Sequence, residues 1–393
     1  MTTAIDTIGE ITQALKDLYE YVLNTENLKS DFDEYLATIG AKDVPLNRME
    51  SVFIPYAFER YIDEYKKTIV ELFNDEKNNT ISNEFLNAQY SIYKVKRLMK
   101  DGFELYNLVN EKTYRVKTLM KMTSLRGIGI GQYIVARFFK HFDEYYLIEI
   151  TNVLSSTQEK DAVRYAIMKA VQNPRLVYAD NPEKEQTIQD DIKTMYKKFV
   201  NVFGTDTIMT TNEYADDIIG EFNSLTDEEK VDISDKIATP ETYEFFKIKE
   251  LNNDYNNFLE NSMKGFSSHD ERYDVGIIFD EDYGLYAIPF YQTFCKIFED
   301  KNIVKNAKEC IEYFLNSASI SDKILERVSY KYSNFVDVIN EVLGTNYTME
   351  SLLNEYKSDY LKYKIYSPTS VLFCADVFEK SLSDALFETE ENE

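Results

Sequence analysis

Glycine and proline are scarce in this chain, with 12 glycines and 7 prolines among 393 residues. These fractions of about 3% and 2% lie well below the averages of about 7% and 5%. Loop-rich all-β proteins, glycine-rich nucleotide folds and disordered chains use more of both, so the shortage disfavours all three. The hydrophobic fraction of 44% is enough for a sizeable core. The composition therefore predicts a well-folded, mainly helical protein, and the length predicts two or three structural units.

The first hundred residues have a helical pattern. Ile11, Leu15 and Leu18 recur at steps of three and four residues, which is typical of one apolar face of a helix. A further helix is predicted over Ile81–Lys100 because a glycine follows shortly after it. Residues 1–101 are therefore expected to form a helical N-terminal region.

The next fifty residues change in character. Segments rich in β-branched and aromatic residues alternate with turns, which is typical of short strands. The predicted strands are Phe103–Val109, Tyr114–Met120, Gln132–Phe139 and Tyr145–Ile150. Residues 102–152 are therefore expected to form a small antiparallel β-barrel or sheet.

Helical patterns return after this module. Residues 153–265 are predicted to be a helical middle region, which includes a long helix from Thr239 to near Gly265. The stretch Gly265–Asp274 is the best candidate for a linker. Residues 266–393 are predicted to be a C-terminal helical region with a β-hairpin at about 274–289. The predicted fold class is α+β, mainly α, with two small β insertions.

Charge is distributed unevenly along the chain. The formal net charge is −25, but the segment from Lys94 to Lys140 has eleven basic and three acidic residues. Its net charge is +8, so the rest of the chain carries −33. We call this segment the basic island, and its basic residues are Lys94, Lys96, Arg97, Lys100, Lys112, Arg115, Lys117, Lys121, Arg126, Arg137 and Lys140.

The basic island has two interpretations. It docks against acidic helices of the same chain, or it faces solvent and attracts an anionic partner, since clustered surface charge steers association. The external partner is then an acidic protein or a nucleic acid. All of the island's basic residues except Lys100 are candidate binding residues.

Three carboxylates at the tip of the predicted hairpin suggest a metal site. Asp280, Glu281 and Asp282 are oxygen ligands of the kind that Mg²⁺ prefers. A metal-dependent hydrolase or nuclease would need further carboxylates and a lysine at a fixed spacing, which the sequence does not identify. An acidic, solvated turn is the alternative interpretation.

Other motifs are incomplete. The run Arg126–Gly131 contains three glycines but matches no phosphate-binding loop, so a flexible turn is favoured over an anion-binding loop. The pair His141 and His269 has only a superficial likeness to phosphohydrolase metal ligands, and both are expected to be ordinary surface residues. The cysteines Cys295 and Cys374 lie in apolar helical contexts, where buried, inert thiols are expected.

These observations lead to three hypotheses of function. The first is a cytoplasmic, non-enzymatic interaction protein whose basic island binds an anionic ligand or the acidic patch of a protein partner. The second is the metal-dependent hydrolase or nuclease, and the third is an acidic nucleic-acid mimic. No cofactor is expected. The three cysteines without CxxC spacing indicate a reducing compartment, and no segment has the apolar length of a membrane helix.

Overall fold

A computed structural model describes residues 7–41, 50–62, 65, 67–225, 230–238, 272–302, 304, 306–317 and 319–373. The chain divides into two compact units, Met1–Ala166 and Ile167–Glu393. The predicted fold class is confirmed, because the structure is mainly helical and contains a small barrel and a second, smaller sheet. The predicted helix from Thr239 to near Gly265 lies outside the described residues, as do residues 265–271 of the predicted linker.

Helices of the first unit surround an aromatic core. The helices are α1 (Thr7–Asn24), α2 (Glu26–Thr38), α3 (Glu50–Glu59), α4 (Ile69–Lys77), α5 (Thr80–Phe85) and α6 (Glu159–Gln172), which continues into the second unit. Two short strands, β1 (Tyr61–Ile62) and β2 (Lys67–Thr68), pair antiparallel between α3 and α4. Phe32 and Phe53 are fully buried and meet at nearly right angles, with ring centroids 5.7 Å apart.

Five strands of the first unit close into a barrel. They are β3 (Gln89–Leu98), β4 (Gly102–Asn107), β5 (Thr113–Thr118), β6 (Tyr133–His141) and β7 (Glu144–Leu154). The order around the barrel is β3-β4-β5-β7-β6. Every neighbouring pair is antiparallel except β5 and β7, which run parallel. The barrel predicted over residues 102–152 is therefore present, but it is mixed and begins earlier than expected.

Alternating side chains fill the barrel interior. Tyr93, Leu105, Val116 and Phe138 point inward and are buried. A 3₁₀ helix over Met122–Leu125, between β5 and β6, packs against this interior. The connection between the two strands on either side of this 3₁₀ helix therefore contributes to the barrel core.

The first barrel strand was predicted as a helix, and that prediction is wrong. The helix α5 ends at Phe85 and β3 begins at Gln89. The alternation Tyr93-Lys94-Val95 places the two apolar residues in the barrel and the lysine outside it. Strong helix formers such as lysine and leucine obscure this period of two, and pairing with β4 and β6 overrides their local preference.

The strand β3 contains a β-bulge. Val95 lies opposite Leu105, and Arg97 lies opposite Glu104, so that Lys96 is the extra residue on β3. Close packing at the next strand requires a glycine, because a Cβ on Gly102 would lie 1.9 Å from the Val116 carbonyl oxygen. The bulge and this close approach shape the same side of the barrel.

The second unit packs helices around a small antiparallel sheet. Its helices are α7 (Pro182–Phe203), α8 (Asn212–Ser224), α9 (Tyr291–Glu299), α10 (Ala307–Asn316), α11 (Asp322–Lys331), α12 (Phe335–Leu343), α13 (Met349–Tyr356), α14 (Ser358–Lys362) and α15 (Pro368–Phe373). The sheet order is β10 (Gly284–Pro289), β9 (Asp274–Asp280) and β8 (Thr207–Thr211). The predicted hairpin is confirmed as β9 and β10, and β8 is an additional strand.

A buried carboxylate fixes the start of α9. Asp274 Oδ2 accepts hydrogen bonds from the backbone N–H groups of Gln292, at 2.6 Å, and of Thr293, at 3.2 Å. Asp274 Oδ1 accepts from the Thr293 hydroxyl at 2.5 Å. Burial nevertheless raises the pKa of Asp274 to about 6, against the opposing effect of these donors. The contact joins the sheet to the helical core of the second unit.

No helix in the described part of the chain combines the length and the apolar composition that crossing a bilayer requires.

Candidate functional site

One outer surface of the barrel is covered by the N-terminal helices. Phe139 of β6 and Tyr146 of β7 belong to the helical core and not to the barrel interior. The ring of Phe139 meets that of Phe85 edge-on, with centroids 4.9 Å apart. The outer side of β6 and β7 around these two residues is therefore not available to a ligand.

Arg137 of the basic island is buried in this covered surface. Its Nη2 atom donates to Glu59 Oε1 of α3 at 2.6 Å, and its Nε atom donates to Glu149 Oε2 at 3.0 Å. The guanidinium lies 4.9 Å from the ring centroid of Phe58 and 4.5 Å from that of Tyr90. Its charge is therefore used inside the protein, as the docking interpretation describes.

His141 lies at the end of β6 in the same covered surface. Its Nδ1 atom is hydrogen-bonded to Glu84 Oε2 of α5 at 2.5 Å, and its Nε2 atom lies 3.9 Å from Glu10 Oε2 of α1. The ring is only 2% exposed. The sequence interpretation of His141 as a surface residue is therefore wrong, because the packed helices bury it.

The outer surface of β3, β4 and β5 is open. Its side chains alternate with those of the interior, because successive strand residues point to opposite faces. We call this surface the open face, and its residues are Lys96, Arg97, Glu104, Tyr106, Thr113 and Arg115. The three cations are exposed, and the Arg115 side chain retains 76% of its accessible surface.

A row of charges crosses the open face. Arg97, Glu104 and Arg115 lie directly opposite one another on three neighbouring strands. Arg115 Nε lies 3.4 Å from Glu104 Oε2, and no ion pair of Arg97 or Lys96 is found among the described residues. One carboxylate therefore compensates only part of the charge on these strands, and the open face is positive.

An aromatic ring lies beside this row of charges, two residues further along β4. Tyr106 is half-buried on β4, and Lys96 Nζ lies 5.8 Å from the centroid of its ring. Partial burial, with a smaller contribution from Glu111, raises the pKa of Tyr106. The phenol therefore stays neutral at physiological pH and offers both a stacking surface and a hydroxyl group.

Lys94 is held at the border of the open face. Its Nζ atom lies 3.4 Å from Glu159 Oε1 of α6, and Tyr133 donates to the same oxygen at 2.8 Å. Tyr133 is the main cause of two pKa shifts. Its hydrogen bond with Lys94 raises the pKa of Lys94, and its hydrogen bond with Glu159 lowers the pKa of Glu159. Lys94 is thus largely engaged within the first unit.

The other cations of the basic island lie around the barrel. Lys117 pairs with Glu144, and this hydrogen bond is the main cause that lowers the pKa of Glu144. Lys140 Nζ lies 3.9 Å from Asp143 at the turn between β6 and β7. Lys112 lies in the turn between β4 and β5, and Lys121 and Arg126 are exposed in the connection from β5 to β6.

The glycine-containing run Arg126–Gly131 belongs to that same connection. Gly131 N–H donates to the Val95 carbonyl oxygen at 2.8 Å, and Gly129 N–H donates to Gln132 Oε1 at 2.5 Å. Gly131 has a φ of +83°, which favours glycine. Because two of its backbone N–H groups are hydrogen-bonded to other groups of the same chain, the run is arranged as a turn beside β3.

The acidic hairpin tip is arranged as a turn. Asp280 Oδ1 accepts from the N–H groups of Asp282, at 2.9 Å, and Tyr283, at 3.0 Å, while Glu281 and Asp282 are exposed. Over the described ranges, no three histidine, cysteine or carboxylate side chains are grouped so that they could hold a metal ion.

The described cysteines are not activated. Cys295 and Cys310 are buried, and burial raises the pKa of Cys295 to about 12 and that of Cys310 well above its ordinary value. A thiol with a raised pKa is a poor nucleophile at neutral pH. His269 and Cys374 lie outside the described residues.

Sequence reasoning found the cations of the open face but not its aromatic residue. Tyr106 alternates with Leu105 and Glu104, and this period of two could have marked it as outward-facing. The burial of Arg137 had no sequence signal, because Glu59 is 78 residues away.

Comparison with known proteins found no matching family model, no similar curated protein and no similar solved structure.

Proposed function

We propose that this chain is a non-enzymatic binding protein whose open face binds single-stranded nucleic acid. The observation that carries the proposal is the exposed set of Lys96, Arg97 and Arg115 on the same face as the ring of Tyr106, which lies near Lys96. Basic residues bind phosphates, and an aromatic ring stacks on bases of any sequence. The proposal accordingly assigns the cations to the backbone and Tyr106 to a base.

Barrel topology supports this assignment. Numbered within the barrel, the strands follow the order 1-2-3-5-4, so that the fourth strand closes against the first. A five-stranded barrel with such a crossed connection has the general plan of OB-folds, which bind oligonucleotides and oligosaccharides on the face of their second and third strands. In this chain these two strands are β4 and β5, and they carry Tyr106 and Arg115.

The aromatic ring favours a nucleic acid over an acidic protein. An acidic peptide would pair with cations alone, whereas Tyr106 adds a flat surface for stacking beside the row of charges. The neutral phenol of Tyr106 also avoids repulsion of a phosphate group. Because the N-terminal helices cover another side of the barrel, the open face is the part of its outer surface that a nucleic acid can reach.

Fluorescence anisotropy with labelled oligonucleotides tests the proposal. The probes are oligothymidylate and oligoadenylate of about 12 nucleotides, a length within the range that one such barrel covers. The triple variant Lys96→Glu, Arg97→Glu and Arg115→Glu is expected to lose at least about tenfold in affinity, since charge reversal removes phosphate contacts. The matched control reverses three exposed lysines outside the barrel, Lys29, Lys193 and Lys197, and has the same net charge.

Two results would contradict the proposal. Equal loss of affinity in both variants would indicate a nonspecific effect of net charge. Binding of a polyglutamate peptide to the wild-type chain, without binding of either oligonucleotide, would instead support an acidic protein partner.

A further inference from the structure

The second unit contains a buried lysine at the junction of α13 and α14. Lys357 is 3% exposed, and its Nζ atom donates to the Ser317 carbonyl oxygen, at the end of α10, at 2.7 Å. An ammonium group has three donors and an amine has two donors and a lone pair. The bond to Ser317 therefore uses only part of the hydrogen-bonding capacity of Lys357.

A buried carboxylate faces the same region. Asp322 is the first residue of α11 and is 2% exposed. Its Oδ2 atom lies 3.2 Å from Lys323 Nζ, but its Oδ1 atom is buried and has no hydrogen-bond partner in the described structure. Leaving such a buried acceptor unpaired destabilises a fold, so a partner is expected on physical grounds.

Two buried hydroxyl groups complete the cluster. Ser321 precedes α11 but makes no capping bond, and neither its Oγ atom nor the hydroxyl of Tyr286 on β10 has a hydrogen-bond partner among the described groups. Both residues are at most 2% exposed. Burial raises the pKa of Tyr286, whereas the nearby Ser321 hydroxyl lowers it, which indicates that the two side chains are close.

The Asp322 carboxylate acts on Lys357 without forming an ion pair with it in the described structure. Burial lowers the pKa of Lys357 to about 7, and the negative charge of Asp322 opposes this effect. However, the described structure contains no direct ion pair between the two side chains. When buried polar groups attract each other across a gap, a bridging water is the usual explanation.

We propose that Tyr286, Ser321, Asp322 and Lys357 enclose one water molecule that links the lysine to the carboxylate. The water donates one hydrogen to Asp322 Oδ1, accepts from an N–H of Lys357 Nζ, and bonds to at least one of the two hydroxyls. Buried waters commonly make about three such bonds to groups that are otherwise unsatisfied. This water would tie β10, α11 and the α13–α14 junction together.

A crystal structure of the full chain at about 1.5 Å resolution tests the geometry directly. We expect one enclosed water within hydrogen-bond distance of Asp322 Oδ1 and of Lys357 Nζ. A direct contact between these two atoms, with no water in between, would overturn the proposal. An ordered anion at this position would overturn it as well.

Two conservative variants provide a test in solution. If the water is present, at least one of the variants Tyr286→Phe and Ser321→Ala removes a hydrogen-bond partner and increases the unfolding equilibrium constant by about fivefold to tenfold. If the hydroxyls are unsatisfied in a dry cluster, removing them leaves stability unchanged or increases it, which contradicts the proposal. Ser333→Ala is the control, because Ser333 is exposed and its substitution should leave the unfolding equilibrium constant nearly unchanged.

Discussion

Arg137 of the barrel and Glu59 of α3 are joined by a contact of 2.6 Å, although the Arg137 side chain is only 5% exposed. The same guanidinium pairs with Glu149 and lies between two aromatic rings. A cation from the most basic part of the sequence is thus a structural connection between the barrel and the helices, and is not available for binding.

Arg137→Met is therefore expected to destabilise the first unit. The substitution removes the positive partner of the buried Glu149 carboxylate, and breaking a buried ion pair from one side costs about 3 kcal/mol or more. The measurement is urea unfolding followed by circular dichroism. Arg115→Met is the control, because Arg115 is exposed and its substitution should change the free energy of unfolding by less than about 0.5 kcal/mol. Equal stability of the two variants would be evidence against the connecting role of Arg137.

The open face should bind nucleic acid with a measurable dependence on salt. For single strands, the slope of log affinity against log salt concentration is about 0.7 for each phosphate contact. The variant Lys96→Gln, Arg97→Gln removes two contacts, so we expect the slope to decrease by about 1.4. Anisotropy titrations between about 50 mM and 200 mM salt measure it.

Tyr106→Leu should have a different effect on the same titrations. Loss of stacking is expected to weaken binding by about 1–3 kcal/mol while the salt slope stays unchanged, because no charge is removed. A lower slope with unchanged affinity would show that Tyr106 does not stack on a base.

Lys357 should make stability depend on pH in the alkaline range. Its pKa is about 7 in the folded chain and near the ordinary value of 10.5 in the unfolded chain. Between these values the unfolded chain binds the additional proton, so the free energy of unfolding rises with pH, by at most about 1.4 kcal/mol per pH unit. Lys357→Met should remove this rise in urea unfolding from pH 7 to 10. Parallel curves for the two proteins would indicate that Lys357 titrates normally.

Asp274 should have the opposite dependence at acidic pH. Its pKa of about 6 in the folded chain lies above the ordinary value of 3.8. The folded chain therefore binds the additional proton between these values, and the stability from this group decreases as pH rises through that window. Compared with Asp274→Asn, the wild-type chain should lose at most about 1.4 kcal/mol per pH unit from pH 4 to 6. An NMR titration of the Asp274 carboxyl group with a midpoint near 4 would contradict this prediction.

Local sequence patterns were sufficient to predict the strands whose conformation follows from local residue preferences. The strands around Tyr114 and Phe138 and the hairpin of β9 and β10 were predicted because aromatic and β-branched residues alternate there between clear turns. The prediction for the segment Gln89–Leu98 was wrong because its lysines and leucine favour a helix in isolation. Its strand conformation depends on pairing with two strands elsewhere in the chain.

The candidate site was only partly predictable for a similar reason. Composition located the basic island, but the separation into covered and open residues depends on contacts distant in sequence. Arg137 is removed from the binding set by Glu59, whereas Arg97 remains exposed. The cluster of Asp322 and Lys357 had no signal, because a single lysine or aspartate in a helical segment is ordinary.

The β-bulge in β3 has a consequence for how the open face tolerates change. Without it, consecutive residues of a strand would alternate between the two sides of the barrel, and Lys96 and Arg97 could not both face solvent. Deleting either residue would restore strict alternation, with the remaining cation facing solvent and the neighbouring apolar residues still facing the interior. The bulge therefore allows the open face to carry one more cation than a regular strand would, and a one-residue deletion there should weaken binding about as much as neutralising that cation.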